Sequence, residues 1–210
     1  MSARGRGGSR TSPYGVLGTQ MAAGGVRKVA MEPAPGLPIV DPAGLPYIRN
    51  GPQGAGGAAG QIYRWLGISQ DEAFPAPVRE AIEVPLQAKL HFYGPKGCIH
   101  VVGPNFHGRT CTREEAVEEL SEAYRAVFGE LAISRLGGLR MLPVSGGIFA
   151  EPFASELPEL TRDALYRGWR ALPPAEQHVV SVARLDMCIF MEEEFEAFAA
   201  AFADDVSSKL

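Results

Sequence analysis

Cysteine is scarce in this sequence. Only three occur among the 210 residues, Cys98, Cys111 and Cys188. Their number is odd and their spacing does not match that of metal ligands, which excludes a disulfide framework and a zinc site as organising features. We expect reduced thiols in an intracellular protein, no bound metal and no cofactor.

Long hydrophobic runs are also missing. No apolar run approaches the roughly 20 residues that cross a bilayer, and the N-terminus lacks the apolar segment of a secretory signal. The composition is 46% hydrophobic and 21% charged, which is ordinary for a globular protein, and the length suits one domain. The sequence predicts a soluble monomer with no membrane partner.

Apolar periodicity is absent from the first 25 residues, which are rich in Gly, Ser and Arg. A segment of this kind does not bury enough apolar surface to offset the entropy of ordering. We predict a disordered leader over 1–25, a folded domain over 26–205 and a short tail over 206–210.

Basic residues are few outside the leader. The first 31 residues carry five of them and no acidic residue; the remainder has 15 basic and 24 acidic residues, a net charge of −9 against −4 for the whole chain. Affinity for nucleic acid comes mainly from Lys and Arg, so a general nucleic-acid binder is excluded. An anionic ligand would have to be held locally.

The chain ends in the tripeptide Ser208, Lys209 and Leu210, which is the address read by the peroxisomal import receptor. We expect a peroxisomal protein with that receptor as a partner. The acidic pair Asp204 and Asp205 just upstream is unusual for such a signal. A mitochondrial location, suggested by the acid-free leader, and a cytosolic one are the alternatives.

Hydrophobic patterns predict alternating strands and helices. We predict strands at 26–31, 38–40, 87–93, 98–102, 139–144 and 178–191, and helices at 58–66, from Thr112, from Pro158 and around 195–202. Thr112 with Glu115 forms a capping box. The alternation predicts an α/β fold, a three-layer α/β/α sandwich with a mixed, largely parallel central sheet and ligands at the carboxyl ends of its strands.

Two segments have the form of anion-binding loops. The first, 54–60, is called loop 1 here: it has no side chain larger than methyl and runs into a helix, so backbone N–H groups and the positive helix end are accessible to a phosphate. The second, 145–149, is called loop 2: it follows a strand, and the N–H groups of Gly146, Gly147 and Ile148 are suited to an anion nest beside the ring of Phe149. Each loop alone is also compatible with a linker or a tight turn.

The sequence resembles the macro domain family. The resemblance lies in segments 98–104, 120–127 and 142–149, and in loop 1 with its helix at 56–67. It implies a cleft for ADP-ribose or an ADP-ribosylated protein between the two loops. The residues implied to bind the ligand are Gly57, Ala58, Ala59, Gly60, Ile62, Ser145, Gly146, Gly147, Ile148 and Phe149.

The resemblance also suggests contacts to adenine and ribose. Glu32 is the candidate for the adenine amino group, and Phe190 for a ring beside adenine, with a core role as the alternative for Phe190. Asp41 stands where the family has the first residue of Asn-Ala-Ala-Asn. Asn50 or Gln53 is placed to substitute for the missing distal-ribose amide.

Two departures fall on the chemistry of hydrolytic macro domains. Gly44 replaces the amide near the distal ribose, and Ala59 replaces the carboxylate of loop 1, so neither position orients a water molecule. Our first hypothesis is therefore a binding module, and the alternative is a mono-ADP-ribosyl or O-acetyl-ADP-ribose hydrolase with substitute residues. A dinucleotide-dependent oxidoreductase is disfavoured because no Gly-x-Gly-x-x-Gly follows an early strand.

For three histidines we prefer a structural interpretation to a catalytic or ligand-binding one. His107 is compatible with proton transfer but reads as a solvated loop residue. His91 and His100 lie in apolar strands, which predicts hydrogen-bonded core residues rather than ligands. The catalytic residues, if there are any, stay unknown at this point.

Overall fold

The computed structural model describes residues 15–19, 27–28, 36–189 and 192–203. The predictions for Glu32, Phe190, Ser208, Lys209 and Leu210 lie outside the described residues.

In the described part of the chain, seven strands form one central sheet. They are β1 (Gly15–Thr19), β2 (Arg27–Lys28), β3 (Ile39–Pro42), β4 (Ala88–Tyr93), β5 (Lys96–Val101), β6 (Gly138–Met141) and β7 (Arg184–Ile189). Their order in the sheet is β2-β1-β7-β6-β3-β5-β4. The four central strands β7, β6, β3 and β5 are parallel to one another, and β4, β1 and β2 pair antiparallel at the two sides. The prediction of a mixed sheet with a parallel centre is confirmed.

Helices cover both faces of this sheet. They are α1 (Leu45–Asn50), α2 (Gly57–Leu66), α3 (Ala76–Ala81), α4 (Arg113–Ser134), α5 (Leu157–Arg170), α6 (Pro174–Val182) and α7 (Phe195–Ala203). Side chains alternate along β5: Ile99 and Val101 join the core under α4 to α7, whereas Cys98 and Val102 join the core under α1 to α3. The three-layer α/β/α arrangement is therefore confirmed.

The helix predicted from Thr112 begins as expected. The Thr112 side chain accepts a hydrogen bond from the Glu115 backbone, and the Glu115 carboxylate accepts one from the Thr112 backbone, so the capping box is complete. Val117, Leu120 and Tyr124 lie on the buried stripe of the helix.

The predicted strand 178–191 is wrong in its first half. Residues up to Val182 belong to α6, and the strand begins at Arg184. The Pro173-Pro174 pair separates α5 from α6, and Pro174 begins α6 because proline fits the first helical position. The Gln177 carbonyl accepts a hydrogen bond from the Trp169 indole, which ties α6 to α5.

Other differences concern elements that the patterns did not indicate. Helices α1 and α3 have six residues each, too short to show a helical period, and both have proline in the first turn. Strand β1 falls inside the segment 1–25 that we expected to be disordered. Its backbone pairs with β7 from Gly15 to Thr19, and a partner distant in sequence leaves no local signal.

None of the described helices is long and apolar enough to span a membrane. The three cysteines are free thiols.

Candidate functional site

Loop 1 runs directly into the N-terminus of α2. The helix begins at Gly57, its cap residue Gly56 makes no side-chain hydrogen bond, and its first turn has no acidic residue. The first N–H groups of a helix have no partner within it, and the helix dipole makes this end positive. Gly56 and Gly57 are exposed, so these donors are open to an anion.

Tight backbone packing fixes the shape of loop 1. A Cβ atom at Gly60 would lie 2.3 Å from the Ala55 carbonyl oxygen, so no larger residue fits there without displacing the loop. Ala58 and Ala59 are half-buried against the core under α2, and Ile62 is only 4% exposed within that core. The Ile62 side chain therefore packs α2 onto the core instead of facing solvent.

Loop 2 is held by hydrogen bonds from buried groups. The Ser145 hydroxyl donates to the Pro104 carbonyl over 2.6 Å, and the Val144 N–H donates to the Tyr124 hydroxyl over 3.0 Å. Ser145 has a φ of 59°, which is unusual for a residue with a side chain. A Cβ at Gly103 would lie 2.4 Å from Val144 Cγ1, so glycine there lets the end of β5 approach the loop.

The exposed part of loop 2 is a short 3-10 turn, Gly147–Phe149. Gly147 has a φ of 61°, and a Cβ atom there would meet nothing within 4 Å. The Ile148 side chain is 76% exposed, and the Phe149 carbonyl accepts a hydrogen bond from the Phe106 N–H. The turn therefore presents backbone and one apolar side chain to solvent.

The two loops follow neighbouring parallel strands of the sheet. Loop 1 comes after β3 and the short helix α1, and loop 2 comes after β6, which pairs with β3. The ring of Phe149 lies 3.8 Å from where a Cβ of Gly44 would be. The structure thus brings loop 2 close to the segment after β3, which leads through α1 into loop 1.

Asp41 is not a cleft residue. Its side chain is fully buried, and its Oδ2 lies 2.8 Å from His100 Nδ1. Asp41 and His100 are directly opposite in the register of β3 and β5, so their side chains point to the same face of the sheet. The expected adenine or ribose contact of Asp41 is corrected: the carboxylate is turned into the core under α2.

Asn50 and Gln53, the candidates for a distal-ribose contact, have different surroundings. Asn50 is exposed at the end of α1, and the Gln53 side chain donates to the Gln70 carbonyl over 2.9 Å. Gln53 is therefore engaged with the segment that follows α2.

His107 has a partner that the sequence did not indicate. Its Nδ1 lies 2.9 Å from Glu151 Oε2, and both side chains are exposed. The pair joins the segment after β5 to the segment after loop 2. Because its partner is 44 residues away, no local spacing could have revealed the pair.

The prediction for the strand histidines is confirmed for His100, which is buried and hydrogen-bonded on both ring nitrogens. His91 is half-buried and packs against the Tyr93 ring, and burial with the nearby His100 lowers its pKa. Among the described residues, no group of three His, Cys, Asp or Glu side chains is arranged to hold a metal ion.

These features define a class: a three-layer α/β/α protein with two small-residue loops after neighbouring parallel strands of its sheet. Solved structures of this kind are similar to it. The Oceanobacillus iheyensis macrodomain with ADP is 15% identical, over 93% of this chain and 99% of that one, with a TM-score of 0.63. A mutant of the same macrodomain with ADPR is 17% identical, over 81% of this chain and 86% of that one, with a TM-score of 0.56.

A viral structure, the alphavirus P23pro-zbd, is 20% identical over 80% of this chain with a TM-score of 0.57. This chain spans only 22% of that viral chain's length. No protein-family model and no curated protein matches the sequence. The chain has the macrodomain fold, and the resemblance seen in the sequence is confirmed at the level of the fold.

Proposed function

We propose that the cleft between loop 1 and loop 2 binds ADP-ribose, free or attached to a protein, through its diphosphate. The observation that carries this proposal is that the two small-residue loops follow neighbouring parallel strands, with the Phe149 ring of loop 2 lying 3.8 Å from the position of a Cβ at Gly44, just after β3. Ligands of α/β sheets bind at such carboxyl edges.

The chemistry of loop 1 fits a phosphate. The start of α2 offers N–H donors and a positive helix end, with no side-chain cap and no carboxylate in the first turn to compete for them. Such donors are neutral, which allows an acidic protein to hold an anion without lysine or arginine. Gly57, Ala58, Ala59 and Gly60 are the residues we assign to this half of the cleft.

The chemistry of loop 2 fits a second phosphate and a ribose. The bond from Ser145 to Pro104 fixes the start of the turn, whose residues Gly146, Gly147 and Ile148 we assign to this half of the cleft. The exposed Ile148 and the half-buried Phe149 provide apolar surface for a sugar ring. The similar Oceanobacillus macrodomain structures with ADP and with ADPR support this choice of ligand.

The direct test is isothermal titration of the full chain with ADP-ribose, and with ADP and AMP as comparisons. We expect ADP-ribose and ADP to bind and AMP, which lacks the diphosphate, to bind at least about tenfold more weakly, the loss expected for about one charge-assisted hydrogen bond. No heat of binding for any of the three nucleotides would refute the proposal.

A second candidate function is hydrolysis of an ADP-ribosyl ester, and the His107–Glu151 pair favours it. Glu151 faces Nδ1, and Nε2 has no hydrogen-bond partner among the described residues, as in a general base oriented by a carboxylate. In this scheme His107 Nε2 takes a proton from water, and the water oxygen attacks the anomeric carbon of the distal ribose. The bond from that carbon to the ester oxygen breaks, and the protein carboxylate leaves with the electron pair.

Release of ADP-ribose from a mono-ADP-ribosylated protein tests this second function. His107→Asn should abolish release and retain binding, whereas His178→Asn, which changes an exposed histidine on α6, should leave both unchanged. If the unaltered chain binds ADP-ribose but releases none from the modified protein, hydrolysis is refuted and only the binding function stands.

A further inference from the structure

A chain of buried polar side chains crosses three strands beneath α2. The Tyr93 hydroxyl on β4 lies 2.9 Å from His100 Nε2 on β5, and His100 Nδ1 lies 2.8 Å from Asp41 Oδ2 on β3. Asp41 and His100 are fully buried. Burial of an ionisable group lowers the stability of the fold unless the group is paired, so these three side chains do more than fill the core.

These contacts engage both nitrogens of the His100 ring. A carboxylate only accepts hydrogen bonds, so His100 donates through Nδ1 to Asp41. At Nε2 the ring shares a hydrogen bond with the Tyr93 hydroxyl, which is able both to donate and to accept. Both nitrogens of His100 are thus used, and its ring is fixed between β3 and β4.

Two buried polar atoms in this core are left over. They are Asp41 Oδ1 and the Tyr63 hydroxyl oxygen, and neither has a hydrogen-bond partner in the part of the chain that the structure describes. Burial raises the pKa of Tyr63, and the negative charge of Asp41 together with a polar interaction with its side chain raises it further, so the phenol stays protonated. A donor and an acceptor without partners thus lie in the same core, near enough for the charge of Asp41 to act on the phenol.

Tyr63 belongs to the helix that carries loop 1. It lies one turn after Ala59 on α2, and Phe74 packs edge-on against both Tyr63 and His100, with ring centroids 5.4 and 4.9 Å apart. The first turn of α2 is closed by the bond from the Gly60 N–H to the Gly56 carbonyl. A shift of Tyr63 would therefore move the donors of loop 1.

We propose that Asp41 is a positioning residue for loop 1, acting through the Tyr63 hydroxyl on α2. The link is one hydrogen bond, made directly or across a single buried water molecule. Asp41 is itself held by His100 and Tyr93, so the sheet sets the place of the anion-binding turn. The inference rests on the proposed function for its ligand only.

A double-mutant cycle tests this link with two readouts. Tyr63→Phe removes only the hydroxyl, Asp41→Asn removes the charge, and the double variant completes the cycle. The first readout is hydrogen exchange at the Gly60 amide of the ligand-free protein, relative to amides in the middle of α4. The second is the affinity for ADP-ribose. Ser121→Ala removes a buried hydroxyl on α4, whose bond goes to the Glu118 carbonyl, and serves as the control.

We expect each single variant to speed relative exchange at Gly60 about tenfold, as for the loss of one hydrogen bond, and the double variant to add nothing further. The affinity for ADP-ribose should fall in the same non-additive way, and Ser121→Ala should change neither readout. Relative exchange as in the unaltered chain, or effects that multiply in the double variant, would overturn the proposal. If the unaltered chain fails to bind ADP-ribose, the proposed function is wrong, and exchange at Gly60 still decides this inference.

Discussion

Gly147 provides the sharpest test of the cleft at the scale of one residue. A glutamate there would place a negative charge in loop 2 beside the expected phosphate, so Gly147→Glu should weaken ADP-ribose binding at least about tenfold through repulsion. Titration calorimetry measures the change. The matched control is Gly94→Glu, because Gly94 has a φ of 62° against 61° and has equal free space around it.

Gly94 lies in the hairpin between β4 and β5, at the edge of the sheet opposite the cleft. Both variants suffer the same backbone strain, so their losses of stability should be similar. Equal affinities of the two variants for ADP-ribose would show that the ligand does not bind at loop 2.

Asp41 shows what a sequence does not reveal about a single residue. The resemblance made Asp41 a candidate for an adenine or ribose contact, and its backbone lies in β3, before the segment that leads to loop 1. Its side chain points away from the cleft because β3 and β5 pair with Asp41 opposite His100, a register set across 59 residues. The two loops were predictable because their signal, small residues between a strand and a helix, is local.

At the scale of an element, the start of α4 makes a pH-dependent contribution. Hydrogen bonds from the Thr112 backbone and hydroxyl lower the pKa of Glu115 below its ordinary value of 4.5. A carboxylate with a lowered pKa in the folded state stabilises the fold above that ordinary value, and the effect is lost as the pH falls through the folded-state pKa.

Glu115→Gln should therefore be less stable than the unaltered chain at pH 7, and the difference should shrink at pH 3. Urea unfolding at the two pH values measures it. Glu114→Gln is the control, since Glu114 is also in the first turn but outside the capping box. A difference that is the same at both pH values would show that the carboxylate charge makes no contribution.

Prediction of the helices succeeded where the patterned segment was long and failed where it was short. The 22-residue α4, with a cap and a buried stripe, was found from its pattern. The last five residues of α6, 178–182, were taken for a strand because β7 follows them with Ala183 as the sole separator. Only contacts such as that of Trp169 with Gln177 distinguish the two elements.

At the scale of the whole molecule, the address at the C-terminus stays a prediction. Helix α7 ends at Ala203, with Phe198 and Phe202 packed in the core. Removal of Leu210 alone should abolish peroxisomal import, because the receptor reads the complete tripeptide. Fluorescence microscopy of the two chains, each with an N-terminal fluorescent protein, measures import. Equal distribution of both chains would contradict the address.

The charge of the whole molecule predicts how salt acts on binding. The chain has a net charge of −4, and the residues after the first 31 carry −9, so the long-range field repels an anionic ligand. The donors that we assign to the diphosphate are neutral backbone groups, in contact with the ligand and within a Debye length of it. Salt screens the distant repulsion more than these close contacts.

Raising the ionic strength from about 0.02 to about 0.15 M should therefore leave the affinity for ADP-ribose unchanged or raise it. Titrations at several concentrations of NaCl measure this, and a steep fall in affinity would show that lysine or arginine side chains hold the phosphates instead of the two loops.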